Sequence, residues 1–378
     1  MSEAWQSERL FFEGDDFLAD LAEAIGAAKQ TILIETYIYR PDAVGRRMEQ
    51  LLRSAALRGI KVKLLVDGIG SLGWIGQIDP QLETAGVQVR IYHPVYWGHL
   101  VPRWERKNAP TLASRLNRRT HRKMAIIDEK IAYVGSVNMT AEHSREASGP
   151  LSWRDTVIRV SGDAVADLVT AFDNVWRRSH DSAGKRHWKE SLHLPRRKFP
   201  RPSSLVRLNF TRTLRARNSN ALIDTIESAR AKLWITNAYF APSGAIVRAI
   251  LNASQNGADV RLLVPRNSDV FFMPWIATSH YKKLLKAGVR VFEYLPRFLH
   301  AKTMIIDEQA MIGTSNLNRR SLFHDFEVDL FVSSAETRKR LEDQFLADLE
   351  EAEEITSARG GPVAFLGRWI ARLLKTWV

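Results

Sequence analysis

The chain repeats one pattern of residues twice, and this duplication limits the possible folds more than any other feature of the sequence. The first copy runs through FLADLAEAIGAAKQTILIETYIY, GIKVKLLVDG and GVQVRIYHP, and the second through ALIDTIESARAKLWITNAYF, GADVRLLVPR and GVRVFEYLP. Each copy continues into a histidine–lysine motif, a short apolar run and a Gly-Ser/Thr-x-Asn turn. Such a repeat in a chain of 378 residues predicts two similar domains.

Helical and strand-like stretches alternate within each copy. Apolar residues have helical spacing over 17–25, whereas 31–39, 61–66 and 88–92 are short runs rich in Val, Ile, Leu and Tyr. This alternation predicts β-α-β units and a largely parallel sheet. Strands follow one another closely after residue 121, so we predict an α/β fold whose sheets are mixed.

We predict four segments. The two repeats occupy residues 1–176 and 205–357, a Lys/Arg-rich linker that is interrupted by prolines occupies 177–204, and an amphipathic tail occupies 358–378. The linker is either a solvated connection or an anion-facing surface beside the active site.

Each copy contains H-x-K-x-x-x-x-D followed by G-[ST]-x-N. Residues two apart in a strand share a face, so the histidine and lysine of each motif project together. If the two sheets pair about a pseudo-two-fold axis, both pairs converge on one site. The motif residues are His121, Lys123, Asp128, Ser136 and Asn138 in the first copy, and His300, Lys302, Asp307, Thr314 and Asn316 in the second.

Two imidazoles and two ammonium groups match the needs of phosphoryl transfer. The lysines can neutralise charge as it develops on phosphate. One neutral histidine can attack phosphorus, and the other can protonate the leaving oxygen and then deprotonate the incoming nucleophile. The odd offset of Asp128 and Asp307 from the lysines favours a structural role for them. With 0 cysteines, no H-E-x-x-H and no acidic cluster, we expect no metal and no cofactor.

These motifs, together with ILIETYIY, MTAEHS, NAYF and GTSNLNRRSLFHDFEV, resemble the phospholipase D superfamily with its two HKD motifs. The resemblance covers nearly all of residues 8–350 and is strongest to the bacterial cardiolipin synthase branch, in its short type without N-terminal membrane spans. It implies two α/β/α sandwich halves with mixed sheets related by a pseudo-two-fold axis, and an active site at their interface. It also implies a ping-pong reaction through a phosphohistidine.

The resemblance further implies roles for individual residues. His121 would be the nucleophile and His300 the general acid/base, although the sequence alone does not assign their order. The lysines would bind phosphate with support from the motif asparagines. An acid on the next strand of each half would orient a histidine, which points to Asp155 and Glu327. One departure from the family pattern is a second motif that is one residue shorter before Gly313, which predicts a tighter hairpin there.

Charge and aromatic residues indicate the partner. The 55 basic and 42 acidic residues leave a net charge of +13, which predicts an anionic partner. The N-terminus lacks a signal-peptide pattern, and no apolar run approaches the ~20 residues of a membrane span, so we expect a peripheral protein on the cytoplasmic face of the cell membrane. Candidate membrane contacts lie in the basic loop 94–120 and on one stripe of the tail: Trp97, Trp104, Phe365, Trp369, Leu373 and Trp377.

The leading hypothesis is the synthesis of cardiolipin from two phosphatidylglycerol molecules. The alternatives are a phospholipase D or head-group exchanger that uses the same site, a nuclease or phosphodiesterase acting on nucleic acid, and a non-catalytic membrane-binding module. Intact motifs argue against the module. The aromatic loop and amphipathic tail favour an anionic phospholipid over nucleic acid. The loop could also simply pack over its domain, and the tail could dock on the protein.

Overall fold

A computed structural model describes residues 3–77, 80–94, 118–181, 202–357 and 369. Its strands are β1 (Ser7–Phe11), β2 (Thr31–Thr36), β3 (Lys61–Asp67), β4 (Gln88–Tyr92), β5 (Met124–Ile127), β6 (Ile131–Gly135), β7 (Val157–Ser161), β8 (His180–Asp181), β9 (Val206–Leu208), β10 (Lys232–Asn237), β11 (Asp259–Pro265), β12 (Arg290–Tyr294), β13 (Lys302–Ile306), β14 (Gln309–Gly313), β15 (Val328–Val332) and β16 (Ala352–Ile355).

The helices of the described residues follow the same duplicated order. They are α1 (Gly14–Ala27), α2 (Ala43–Leu57), α3 (Leu72–Ile75), α4 (Pro80–Thr84), α5 (Arg145–Ser148), α6 (Val165–Trp176), α7 (Arg212–Ser228), α8 (Gly244–Gln255), α9 (Met273–Lys286), α10 (Arg319–Phe323) and α11 (Ala335–Glu350). Two short 3₁₀ helices, Ala141–His143 and Gly149–Leu151, lie in the first half.

The strands form two sheets of eight strands each. Their orders are β1-β7-β6-β5-β2-β3-β4-β8 and β16-β12-β11-β10-β13-β14-β15-β9. The central strands β2-β3-β4 and β10-β11-β12 run parallel, and the strands that follow each motif add antiparallel neighbours. The predicted α/β fold with mixed sheets in two similar halves is therefore confirmed.

Helices cover both faces of each sheet because their apolar residues recur every three to four positions. On α2, Met48, Leu52 and Ala55 are buried, and the Asp42 carboxylate caps the helix by accepting a 3.0 Å hydrogen bond from the Gly45 N–H. Helices α6 and α11 lie in a core shared by the two halves, whereas α1 and α2, and likewise α7 and α8, pack on the outer faces. Burial of this shared core holds the halves together.

The first repeat extends further than the sequence predicted. Strand β8 pairs with β4 in antiparallel register, with His180 opposite Ile91. The predicted boundary at residue 176 thus falls before the last strand of the first sheet. The rest of the predicted linker up to residue 201, and most of the tail from residue 358, lie outside the described residues.

Candidate active site

The two histidine–lysine motifs lie where the halves meet, and each is held by the backbone of the other half. The His121 N–H donates to the Phe326 carbonyl at 2.9 Å, and the His300 N–H donates to the Arg154 carbonyl at 2.8 Å. Short parallel bridges join the same segments, one at Thr120 and one at Arg154. These reciprocal contacts bring both motifs to a single interface.

The two predicted acids contact the histidines in a crossed arrangement. The Nδ1 atom of His121 lies 3.0 and 3.1 Å from the carboxylate oxygens of Glu327. The Nδ1 atom of His300 lies 2.9 Å from Oδ1 of Asp155. Each histidine is therefore paired with an acid from the opposite half, and its Nε2 atom is left for chemistry. The sequence predicted the acids but did not indicate this exchange.

A hydroxyl group supports each acid at equivalent positions. Ser136 Oγ donates to Asp155 Oδ1 at 2.7 Å, and Thr314 Oγ1 donates to Glu327 Oε2 at 2.5 Å. The same hydroxyls accept hydrogen bonds of 3.0 Å from the N–H groups of Thr156 and Val328. Thr314 thus makes the bonds that serine makes in the first half.

The shorter second motif changes the turn and leaves the site unchanged. In the first hairpin Asp128 and Glu129 both have positive φ, at 52° and 57°, whereas in the second only Asp307 does, at 49°. After the turn the registers match again, because Gly135 lies opposite Val157 and Gly313 lies opposite Asp329. The second hairpin is shorter at its turn, before β14 begins. Thr314 therefore occupies the position that is equivalent to Ser136 in the first half.

Both glycines in the G-[ST]-x-N turns are required by close packing. A Cβ at Gly135 would lie 2.3 Å from the Thr156 carbonyl oxygen, and a Cβ at Gly313 would lie 2.5 Å from that of Val328. The next strand therefore approaches too closely for any side chain. The residues that approach each glycine, Thr156 and Val328, directly follow Asp155 and Glu327, so this close packing places the two acids near the histidines.

The motif aspartates lie at the hairpin turns. The Asp128 carboxylate accepts hydrogen bonds of 2.7 to 2.9 Å from the N–H groups of residues 29–31, and Asp307 accepts bonds of 2.8 to 3.0 Å from those of residues 230–232. These backbone bonds help to lower the pKa of each carboxyl, against the opposing effect of burial. The aspartates therefore fix the start of β2 and of β10.

The lysines are buried beside aromatic rings. Lys123 Nζ donates to the His121 carbonyl at 2.8 Å and lies 5.3 Å from the Tyr37 ring, while Lys302 donates to the His300 carbonyl and lies 5.7 Å from the Tyr239 ring. Burial lowers the pKa of Lys123 to about 8. Burial, then the charge of Lys123, lowers that of Lys302 well below its usual value. A bound phosphodiester anion would relieve this penalty.

The electrostatics of the two histidine–acid pairs differ. Burial, then the neighbouring lysines, holds the pKa of both His121 and His300 well below the usual value, so both rings are neutral near pH 7. Burial raises the pKa of Glu327 to about 8. Burial would also raise the pKa of Asp155, but its interactions with His143, which include a hydrogen bond, hold that pKa well below the usual range. Asp155 is therefore the ionised member of the two acids.

The motif asparagines support different atoms. Asn138 Oδ1 accepts a 3.1 Å bond from the Ile38 N–H, and its amide nitrogen lies 3.3 Å from Nε2 of His143. The buried Oδ1 of Asn316 has no hydrogen-bond partner among the described residues. An unpartnered carbonyl oxygen beside a phosphate site is free to accept a bond from a substrate hydroxyl.

Sequence reasoning missed several residues around the site. His143 bonds to Asp155, and the Tyr37 ring lies 5.0 Å from that of His121. Arg119 and Arg122 are buried and paired with Asp67 and Glu35. The available signals were the histidine in MTAEHS and the run of basic residues before the first motif, which composition alone had assigned to a surface.

One group of potential metal ligands occurs among the described residues: His143, Asp155 and His300, whose ligand atoms lie within 4.8 Å of one another. The Asp155 carboxylate already accepts hydrogen bonds from both imidazoles and from Ser136. These atoms are engaged with each other, so the group is better explained as a hydrogen-bonded network.

Most of the predicted membrane contacts lie outside the described residues, namely Trp97, Trp104, Phe365, Leu373 and Trp377. Trp369 is described and is 52% exposed. In the part of the chain that the structure covers, no helix is long and apolar enough to cross a bilayer. Arg119, Arg122 and Lys123, at the end of this basic stretch, are buried, so they do not face a membrane.

Comparison with known proteins agrees with this geometry. The sequence profile described as "Cardiolipin synthase, PLD-like domain" matches residues 21–176 and 222–349, which together include both motifs and both orienting acids. The chain belongs to this family. It is 31% identical to a cardiolipin synthase of Clostridium perfringens over 352 residues, covering 92% of this chain and 71% of that protein.

A second relative and a solved structure extend the comparison. A cardiolipin synthase of Halalkalibacterium halodurans is 32% identical over 350 residues, covering 92% of this chain and 67% of that protein. The crystal structure of phosphatidylserine synthase from Haemophilus influenzae superposes with a TM-score of 0.73 at 14% identity, covering 99% of this chain and 95% of that one. The shared fold is thus that of phospholipase D-like enzymes.

Proposed function

We propose that this enzyme is a cardiolipin synthase that joins two phosphatidylglycerol molecules and releases glycerol. The observation that carries the proposal is the crossed pair of histidine–carboxylate contacts across the interface between the halves. Family membership makes the chain a phosphatidyltransferase of the phospholipase D superfamily that acts on phospholipids. The identity of both substrates and the roles of the residues are our proposal.

In the first step, Nε2 of His121 attacks the phosphorus of phosphatidylglycerol and the bond to glycerol breaks. When the anionic substrate binds, Nε2 of His300 takes up a proton from solvent and donates it to the departing glycerol oxygen, leaving a phosphatidyl group on His121. The charges of Lys123 and Lys302 hold the phosphate oxygens. In the second step His300 takes a proton from the hydroxyl of another phosphatidylglycerol, which attacks the phosphatidyl-histidine. Cardiolipin leaves and His121 is free again.

Two observations favour this order of the histidines. The His121 side chain is 13% exposed and that of His300 is 3% exposed, so His121 is the more accessible to a phosphorus atom. The ionised Asp155 stabilises a protonated His300, whereas Glu327, with its pKa of about 8, stabilises a protonated His121 less. A bound phosphodiester anion also offsets the lysine charges that disfavour protonation of His300.

The test is to incubate the purified protein with phosphatidylglycerol vesicles that carry a radiolabelled glycerol headgroup. We expect cardiolipin and labelled glycerol in equal amounts. Unlabelled vesicles with free labelled glycerol should yield labelled phosphatidylglycerol by reversal of the first step. Phosphatidic acid without cardiolipin would identify a hydrolase that uses the same site. No lipid product from folded protein would contradict the proposal.

We also propose that the enzyme works at an anionic membrane surface, on its cytoplasmic face, and that residues 358–378 contribute to binding. Support comes from the net charge of +13 and from the exposed Trp369. Deletion of 358–378 should reduce flotation with phosphatidylglycerol vesicles by tenfold or more, since it removes 4 basic residues that each contribute about 1 kcal/mol near such a surface.

Matched substitutions separate charge from apolar contact in the tail. Changing Arg368, Arg372 and Lys375 to glutamine should weaken binding to anionic vesicles, and added salt should have less effect on this variant. Neutral phosphatidylcholine vesicles provide the control. Equal flotation of the deleted and full-length proteins would contradict a role for the tail.

A further inference from the structure

One buried carboxylate holds two imidazoles. Asp155 Oδ1 lies 2.9 Å from Nδ1 of His300, and Oδ2 lies 2.6 Å from Nδ1 of His143. Asp155 and His143 are each 1% exposed. The His143 ring lies 5.4 Å from that of His300 and 4.8 Å from that of Trp153. The base proposed for the reaction therefore shares its orienting acid with a second histidine that has no place in the steps above.

The backbone N–H of Ile38 fixes the direction of the hydrogen bonds that run from Asn138 through His143 to Asp155. Ile38 N–H donates to Asn138 Oδ1, so the other end of that amide must be its nitrogen, which donates to Nε2 of His143. With Nε2 as acceptor, the Nδ1 atom of His143 carries a proton and donates it to Asp155. Asp155 then accepts from Nδ1 of His300 as well, and Nε2 of His300 is left without a proton in the resting site.

The second half shows what replaces this histidine. His143 lies five residues after Asn138, and the residue five after Asn316 is Ser321. Ser321 accepts a 3.2 Å bond from the Asn316 N–H and also hydrogen-bonds to Glu327. The acid that serves His300 therefore has an imidazole partner, and the acid that serves His121 has a hydroxyl partner. This is the main difference between the two halves of the site.

We infer that His143 is a positioning residue for His300: its hydrogen bond fixes the orientation of the Asp155 carboxylate, so that His300 acts as the proton-transferring histidine. This inference rests on the proposed roles of His121 and His300. His143 contacts Asp155 and His300, whereas the His121 ring contacts Glu327 and Tyr37. Loss of His143 should therefore impair proton transfer and spare nucleophilic attack.

Proton transfer to the leaving group can be tested separately from attack. Glycerol is a poor leaving group and needs a proton, whereas p-nitrophenolate leaves without one. A phosphatidyl ester of p-nitrophenol should thus release a rapid burst of nitrophenolate whenever His121 is competent. Turnover of phosphatidylglycerol, by contrast, should require both attack by His121 and proton transfer by His300.

The variants are His143→Phe, which keeps a ring against Trp153, and His143→Gln, whose amide can both donate to Asp155 and accept from Asn138. For His143→Phe we expect kcat on phosphatidylglycerol vesicles to fall roughly 10- to 100-fold with little change in KM, and the nitrophenolate burst to stay close to that of the wild type. For His143→Gln we expect kcat to recover most of the loss. His280→Phe, which changes a histidine on α9 outside the site, is the matched control.

His300→Ala, measured alongside, separates the inference from its premise. If both His300→Ala and His143→Phe lose turnover but keep the burst, the inference is supported. Suppose that His300→Ala loses turnover but keeps the burst, whereas His143→Phe slows both substrates equally or slows neither of them. The inference is then overturned, and the proposed function stands. If His300→Ala itself loses the burst, the assigned roles fail and the inference fails with them. If His143→Phe does not fold, His143→Ser replaces it in the same two assays. A normal kcat for His143→Ser, or an equal loss on both substrates, would overturn the inference.

Discussion

His121→Ala is expected to lower cardiolipin formation by roughly 10⁴-fold or more, because it removes the proposed nucleophile. The alanine enzyme should also lose the nitrophenolate burst and the exchange of labelled glycerol into phosphatidylglycerol. His300→Ala should reduce turnover on phosphatidylglycerol to a similar extent but should retain the burst. In that variant the phosphatidyl-enzyme should accumulate and be detected by mass spectrometry of the intact protein.

The reverse pattern would exchange the roles of the two histidines. A burst that survives in His121→Ala and disappears in His300→Ala would make His300 the nucleophile. Appreciable steady-state turnover in both variants would contradict the two-histidine mechanism. The control is Asn252→Ala, whose side chain contacts Glu227 on the outer face of the second half. We expect it to behave as the wild type.

Arg119→Met is expected to lower the free energy of unfolding by about 3–5 kcal/mol, because it leaves the buried charge of Asp67 without its partner. Both side chains are 0% exposed, and Arg119 donates bonds of 2.7, 2.9 and 3.0 Å to the Asp67 carboxylate. Its guanidinium also bonds to the carbonyls of Tyr92 and His93. Urea unfolding measures the loss.

A double variant tests whether the unpaired charge is the cause. Arg119→Met with Asp67→Asn removes the charge but keeps one oxygen that can accept from the Ile69 N–H, while the Thr120 N–H loses its acceptor. We expect it to be more stable than Arg119→Met alone. If Arg119→Met costs less than about 1 kcal/mol, water or another cation must compensate the carboxylate, contrary to the burial of the pair. Because Arg119 lies two residues before His121, activity should fall in parallel with stability.

Much of the fold could be predicted because its signals are local. The alternation of helical and strand-like runs in each copy identified the parallel core of each sheet, and the two-residue spacing of His121 and Lys123 placed them on one face. Asp155 and Glu327 were found because they occupy matching places on the next strand of each half. None of these inferences required knowledge of how the halves dock.

The features that were missed depend on docking and burial. The exchange of Asp155 and Glu327 between the halves follows from the packing of one sheet against the other, which leaves no local pattern. Arg119 and Arg122 look like surface cations in a basic run, because their partners Asp67 and Glu35 lie on other strands. His143 sits in a turn whose sequence gives no sign that it reaches Asp155.

The exchange of acids across the interface also bears on how such a protein could have arisen. A polypeptide carrying one of these repeats would hold a histidine and a lysine but would supply its carboxylate only to a neighbour. It would gain a complete site on meeting a second copy, but the two histidines of that site would be equivalent, with no distinction between the attacking and the protonating group. Joining two copies into one chain lets their histidine environments diverge, as serine and histidine at matching positions illustrate. Division of labour between the histidines is thus a property that fusion makes possible.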